Sequence, residues 1–206
     1  MKNIIKYVKF CLGTVLDFYP RKEFRLLESS LADSVEKTIV DANAKYLNKL
    51  QINNDNDLLK LIRIDPTIET ILFYRIERSI FLEDPNSNWL PYLASCMHRR
   101  TNSEIYYSTE IGEGFNIQHG FGIVVGPRYK IGNNFTIHQN VTLGQKNLNS
   151  PNEKIIIGDN VTIFAGAIVL GNIFIGDNSK IAANSVVLSN VEPSSVYAGV
   201  PAKRIK

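Results

Sequence analysis

The sequence predicts a two-part chain: an α-helical N-terminal domain over residues 1–103 and a parallel β-helix of three-sided coils over residues 104–206. Three observations predict it. Aliphatic residues recur every six positions from Ile105 onward, Gly often follows them at once, and the residues before position 100 show helical spacing instead.

The helical part begins with MKNIIKYVKFCLGTVLDFYP, where Ile4, Ile5, Val8, Leu12, Val15 and Leu16 share one helical face. Lys6, Lys9 and Asp17 interrupt the apolar run, so it is no spanning helix, and it lacks the small-residue cleavage site of a signal peptide. Packing against another helix is the expected use of that face; membrane contact is peripheral at most. Residues 26–37, LLESSLADSVEK, have helical spacing and good helix formers. Asp65-Pro66 reads as an N-cap followed by proline at the first helical position, and the helix runs through Thr70 to Phe81. Asp84-Pro85-Asn86-Ser87 breaks it, and a further helix spans Trp89 to about Arg99.

From Ile105 the period is six. Aliphatic residues sit at Ile105, Ile111, Ile117 and Ile123, resume after two extra residues at Ile131, Ile137 and Leu143, and continue after a longer interruption at Ile157, Ile163, Val169, Ile175, Ile181 and Val187. IGEGFN, IGNNFT, IGDNVT and IGDNSK are near copies of one unit. A six-residue unit gives a short strand and a corner; three units close a triangular coil with the aliphatic residue inward, and stacked coils bury a continuous column. Gly and Asn tolerate the positive φ of sharp corners. A helical period of 3.6 does not produce this pattern, nor does an antiparallel sheet with its period of two.

Composition narrows the function. With 206 residues, 44% hydrophobic, 21% charged and a net charge of +3, the chain is an ordinary globular protein with no basic excess for nucleic acid. Cys11 and Cys96 make neither a metal spacing nor a disulfide framework, which suits a cytoplasmic location.

Units three apart share a face, so the face of Ile117 stacks on those of Ile137, Ile163 and Ile181. Its third positions are His119, Gln139, Ala165 and Ala183; its fourth are Gly120, Asn140, Gly166 and Asn184. An imidazole at one end and small residues at the other form a groove for a long, thin ligand such as a pantetheine arm, or else the small residues merely satisfy tight corners. Proton abstraction from a hydroxyl needs a base titrating near neutral pH, and His119, between Gln118 and Gly120, is the candidate. Glu104, fifteen residues earlier, is the carboxylate expected to orient it. His138 stacks over Gln118 and shapes an acceptor pocket or is a corner residue; His98 follows a helix and has no expected role.

The repeat resembles the hexapeptide-repeat acyltransferases. GFGIVVG at 120–126, NVTLG at 140–144, AGVPAK at 198–203 and Asp65-Pro66 resemble their serine acetyltransferase branch. The resemblance implies a left-handed coil, acetyl-CoA as co-substrate with no metal, and a homotrimer with active sites between prisms; trimer and dimer of trimers both stay open. It places the catalytic histidine on His119 and its partner on Glu104, a substrate-binding carboxylate on Asp65, and a coenzyme A cleft along Gln139, Gly144, Ala165, Gly166 and Ala183 with Lys203 and Arg204 at its phosphates. Two features depart from the branch. Gln118 stands where an aspartate holds the serine amino group, and QKNLNSPNEKI at 145–155 lacks the Arg-His pair for the serine carboxylate. Gln118 and His138 suit an uncharged, polyhydroxylated acceptor, as in the relatives that acetylate capsule, O-antigen or exopolysaccharide sugars. The expected activity is therefore O-acetylation of a carbohydrate hydroxyl. Serine O-acetylation is the alternative and a non-catalytic scaffold a further one. The branch's cysteine-synthase partner takes a tail ending in isoleucine, whereas this chain ends in Ile205-Lys206, so that partner is not expected.

Overall fold

The computed structural model describes residues 1–13, 23–46, 50–147 and 154–206. Its helices are α1 (Lys2–Leu12), α2 (Glu23–Lys45), α3 (Asp55–Ile62), α4 (Pro66–Glu83) and α5 (Trp89–Thr101). The expected apolar face of α1 is buried at Ile4, Val8 and Leu12, and α1 lies against α3 and α5; Val15 and Leu16 fall outside the described residues. No helix among the described residues is long and apolar enough to cross a membrane.

Local chemistry sets the helix ends. The Asp65 side chain accepts the Thr67 N–H and Pro66 occupies the first turn of α4, as the dipeptide predicts. α3 was not foreseen. Its N-cap is Asn54, whose side chain accepts the N–H groups of Asn56 and Asp57, a signal short enough to miss in eight residues. Asn102, in the left-handed region, ends α5 and turns the chain into the coils.

Three parallel faces follow. The first stacks β1 (Glu104–Ile105), β4 (Val124–Val125), β7 (Thr142–Gly144), β10 (Ile168–Leu170) and β13 (Val186–Val187). The second stacks β2 (Glu110–Ile111), β5 (Lys130–Ile131), β8 (Ile155–Ile157) and β11 (Ile173–Ile175). The third stacks β3 (Asn116–Gln118), β6 (Thr136–His138), β9 (Thr162–Ile163) and β12 (Lys180–Ile181), and ends in the hairpin β14 (Val196–Gly199) and β15 (Ala202–Arg204). The periodic aliphatic residues are all buried and form the predicted column.

The register corrects the phase at one place. Ile105 pairs with Val125, not Ile123, so the two extra residues lie between Ile117 and Val125, in the His119 corner itself. Ile123 is still buried, but as part of the corner.

α4 is buried on almost every side and closes the first coil. The Tyr74 hydroxyl donates to Thr109 O and accepts the Ile111 N–H, both at 3.0 Å. The Arg75 guanidinium donates to Asp41 (Nε–Oδ2, 2.9 Å) and to the carbonyls of Ile111 (2.7 Å) and Gly112 (2.6 Å). Asp41 also accepts the Phe115 N–H at 2.9 Å. This buried pair fastens α2 and α4 to the solenoid.

Candidate active site

The corner between the third and first faces is a ladder of left-handed residues: Gly122 (φ 66°), Asn140 (φ 58°), Gly166 (φ 69°) and Asn184 (φ 56°). A Cβ on Gly122 or Gly166 would strike the amide oxygen of the Asn above it, so Gly alternates with Asn. The expected ladder placed Gly120 under Asn140; the structure places Gly122 there, and the Asn140 N–H bonds to Phe121 O at 2.9 Å. His119 (φ 65°) and Gly120 (φ 50°) are the two inserted residues, pushed out of the coil as a protrusion. His119 is therefore exposed at the head of the ladder instead of stacking on Gln139, while Gly120 is buried.

Several predicted residues do meet here. Gln118 pairs with His138 across β3 and β6, as the register predicts, and the rings of His119 and His138 lie 6.2 Å apart. Burial, then the neighbouring His119, lowers the His138 pKa, which keeps that ring neutral at pH 7. Phe164, which sequence reasoning missed, packs against His138 with the ring centroids 5.0 Å apart and the planes tilted by 35°. Ala165, Gly166 and Ala183 continue the column below, and the buried Gln139 Oε1 has no hydrogen-bond partner among the described residues.

Asp65 arrives from the helices. Thr67, two residues into its cap, packs on Gly120: a Cβ on that glycine would collide with the Thr67 methyl. Lys45, at the end of α2, donates to Ile117 O at 2.7 Å and pairs with Asp65 at 2.8 Å. Burial alone would raise the Asp65 pKa, but Lys45, Thr67 and Tyr46 hold it below the usual carboxylate range. Thr67 was not singled out in the sequence, although the Asp65 cap two residues before it was a signal that could have found it. Lys45 carried no sequence signal, being 72 residues from Ile117.

Other predicted residues stand apart. Glu104 begins β1, with its N–H on Ile123 O at 2.8 Å, one strand from the corner. Among the described residues no hydrogen bond joins it to His119, and its carboxylate instead raises the pKa of Tyr106. Gly144 lies at the far edge of the first face, beside Leu170, one face away from the ladder. Lys203 and Arg204 lie in β15, at the opposite end of the His119 sheet, and Arg204 pairs with Glu192. From β3 to β14 is four strand steps, roughly 19 Å at ~4.8 Å each, so the His119 corner and the C-terminal hairpin lie toward opposite ends of one face.

The family described as bacterial transferase hexapeptide (six repeats) matches residues 154–189, which gives the coil its left hand. Among solved structures, the chain is similar to a serine acetyltransferase from Neisseria gonorrhoeae, with 31% identity over 90% of this chain and 71% of that one and a TM-score of 0.77. The same Neisseria gonorrhoeae enzyme in complex with serine is 33% identical, covering 89% and 74%, with a TM-score of 0.74. Serine acetyltransferase from Brucella abortus strain S19, in complex with coenzyme A, is 29% identical over 90% and 72%, also with a TM-score of 0.74. No curated protein matches the chain by sequence.

Proposed function

This chain belongs to the serine acetyltransferase family of hexapeptide-repeat transferases, and from that membership we propose that it carries acetyl from acetyl-CoA to an acceptor hydroxyl with His119 as general base. The observation that carries the reading is the exposed His119, held on a two-residue protrusion at the head of the small-residue ladder. His119 takes the hydroxyl proton as the oxygen attacks the thioester carbonyl. The C–S bond then breaks, and the imidazolium returns the proton to the departing thiolate. Glu104, one strand away, favours the imidazolium only as a distant charge, without the orienting hydrogen bond expected of it. The neutral His138 lets His119 acquire that charge without a second cation 6.2 Å away.

Acetyl-CoA lies along the ladder, past Gln139, Ala165, Gly166 and Ala183, toward Lys203. The bound coenzyme A of the Brucella relative supports this donor. A homotrimer supplies the second wall; Phe121, 50% exposed, and Val124, 37% exposed, are apolar surface a second copy would cover. Use of acetyl-CoA and the free thiols Cys11 and Cys96 suit the cytoplasm.

Two acceptors compete. The solved relatives favour serine, since they are serine acetyltransferases and one holds serine. The residues of this chain favour an uncharged sugar hydroxyl, because Gln118 is neutral and 145–155 lacks an Arg-His pair. We take the sugar hydroxyl as the acceptor. The test is thiol release from acetyl-CoA with L-serine and with free, nucleotide-linked and lipid-linked sugars. Sugars should support turnover and serine should not; His119→Ala should keep acetyl-CoA binding and lose about 10²–10⁴-fold in rate. Saturable turnover with serine alone installs the serine reading, and near-normal turnover of His119→Ala removes the proposed base.

A further inference from the structure

We infer that Lys45 is a built-in counter-ion that closes the Asp65 subsite beside His119 to a primary ammonium and so selects acceptors without positive charge. The inference deepens the O-acetyltransferase reading and rests on it for the word acceptor.

Its basis is saturation of both charged groups. An ammonium has three donors and no acceptor. Lys45 Nζ donates to Asp65 Oδ2 at 2.8 Å, to Ile117 O at 2.7 Å and to Thr67 Oγ1. A carboxylate offers about four lone-pair positions. Asp65 Oδ1 accepts the Thr67 N–H (3.0 Å) and Oγ1–H (2.6 Å), while Oδ2 accepts Tyr46 OH (2.6 Å) and Lys45. Each lone pair and each donor is thus in use. Both side chains are also largely withdrawn from water, Lys45 9% and Asp65 13% exposed.

The cluster touches the corner at Ile117 O, through Lys45, and at Gly120, through Thr67. A carboxylate in that place would ordinarily attract the ammonium of an amino-alcohol whose hydroxyl faces His119. Here an incoming ammonium meets a like charge and finds no free carboxylate lone pair. Gln118, the side chain before His119, contributes no negative charge either; its amide donates to Asn116. An uncharged hydroxyl acceptor pays no such penalty.

The test uses the 206-residue chain and its Lys45→Met, Lys45→Gln and Lys45→Arg variants. Ethanolamine and ethylene glycol are the probes, since they differ only by an ammonium in place of a hydroxyl. Binding is read from the His119 ring resonance, assigned by its absence in His119→Ala, with circular dichroism to confirm folding. Wild type and Lys45→Arg should bind ethylene glycol at least as well as ethanolamine. The neutral variants should gain about tenfold or more for ethanolamine relative to ethylene glycol, the size of one charge-assisted hydrogen bond. Lys45→Gln retains donors for Ile117 O and serves if Lys45→Met does not fold. An unchanged ratio in a folded neutral variant, or a wild type that prefers ethanolamine, overturns the inference. The binding arm needs no turnover. A wild type that acetylates nothing removes the transferase reading, while the ammonium ratio still judges Lys45.

Discussion

Gly120→Ala probes the contact that holds the helical part against the His119 corner. Gly120 has φ 50°, and a Cβ there would run into the Thr67 methyl and come within 3.3 Å of Ile117 Cγ2. An L-residue in that conformation costs about 1–2 kcal/mol, and overpacking a buried contact costs about 1–3 kcal/mol. The sum is roughly 2–5 kcal/mol, a fall in Tm of roughly 4–20 °C for a chain of this size. Thr67→Ser separates the two parts. It removes the methyl but keeps the hydroxyl that bonds Asp65 and Lys45. The double variant should recover the overpacking share and keep the backbone share. Since Gly120 adjoins the proposed base His119 in the same protrusion, Gly120→Ala should also lower kcat/KM, by up to about 10²-fold for a 1 Å displacement, with little change in acetyl-CoA affinity. Urea denaturation of the four proteins, with acceptor kinetics, measures both. If Thr67→Ser gives no recovery, the helix N-terminus does not bear on Gly120 and the packing argument fails.

Two further predictions concern buried charge. Arg75→Met strips the partner from Asp41, 1% exposed, and leaves the Ile111 and Gly112 carbonyls without a donor; the expected loss is about 3–5 kcal/mol, partly recovered by adding Asp41→Asn, and a loss near zero in denaturant titration would contradict the fastening role. Glu77 is buried with both carboxyl oxygens unpartnered among the described residues, and desolvation holds its pKa well above normal. The folded state then keeps a proton that the unfolded chain loses near pH ~4.3, so this group's contribution to stability declines as pH rises above that point. Glu77→Leu should be more stable at pH 7–8 and show a flatter pH profile in urea midpoints; parallel profiles would sink this account.

The solenoid was legible because its information is local. Each coil is three six-residue units plus any loop that interrupts it, so the period itself gives the stacking of Ile117, Ile137, Ile163 and Ile181 without any knowledge of the rest of the chain. The same regularity hid the phase of the corner. Both Ile123 and Val125 are aliphatic and buried, and only the pairing of Ile105 with Val125 shows which one belongs to the strand. Asp65-Pro66 announced a helix start by its own capping chemistry, whereas Glu104, paired with His119 by spacing and resemblance, lies by Tyr106 in the structure.

By itself the sequence determined the triangular coil, the face that carries Gln118 and His138, and the start of α4, since each follows from a short repeat or a cap within a few residues. Tertiary structure alone decided that His119 and Gly120 leave the coil, that Thr67 rests on that protrusion, and that Lys45 reaches Ile117 and Asp65. The physical reason is range. A repeat specifies its neighbours by its own short period, but a helix docks by matching side chains across distant stretches of chain, and no periodic signal records that match.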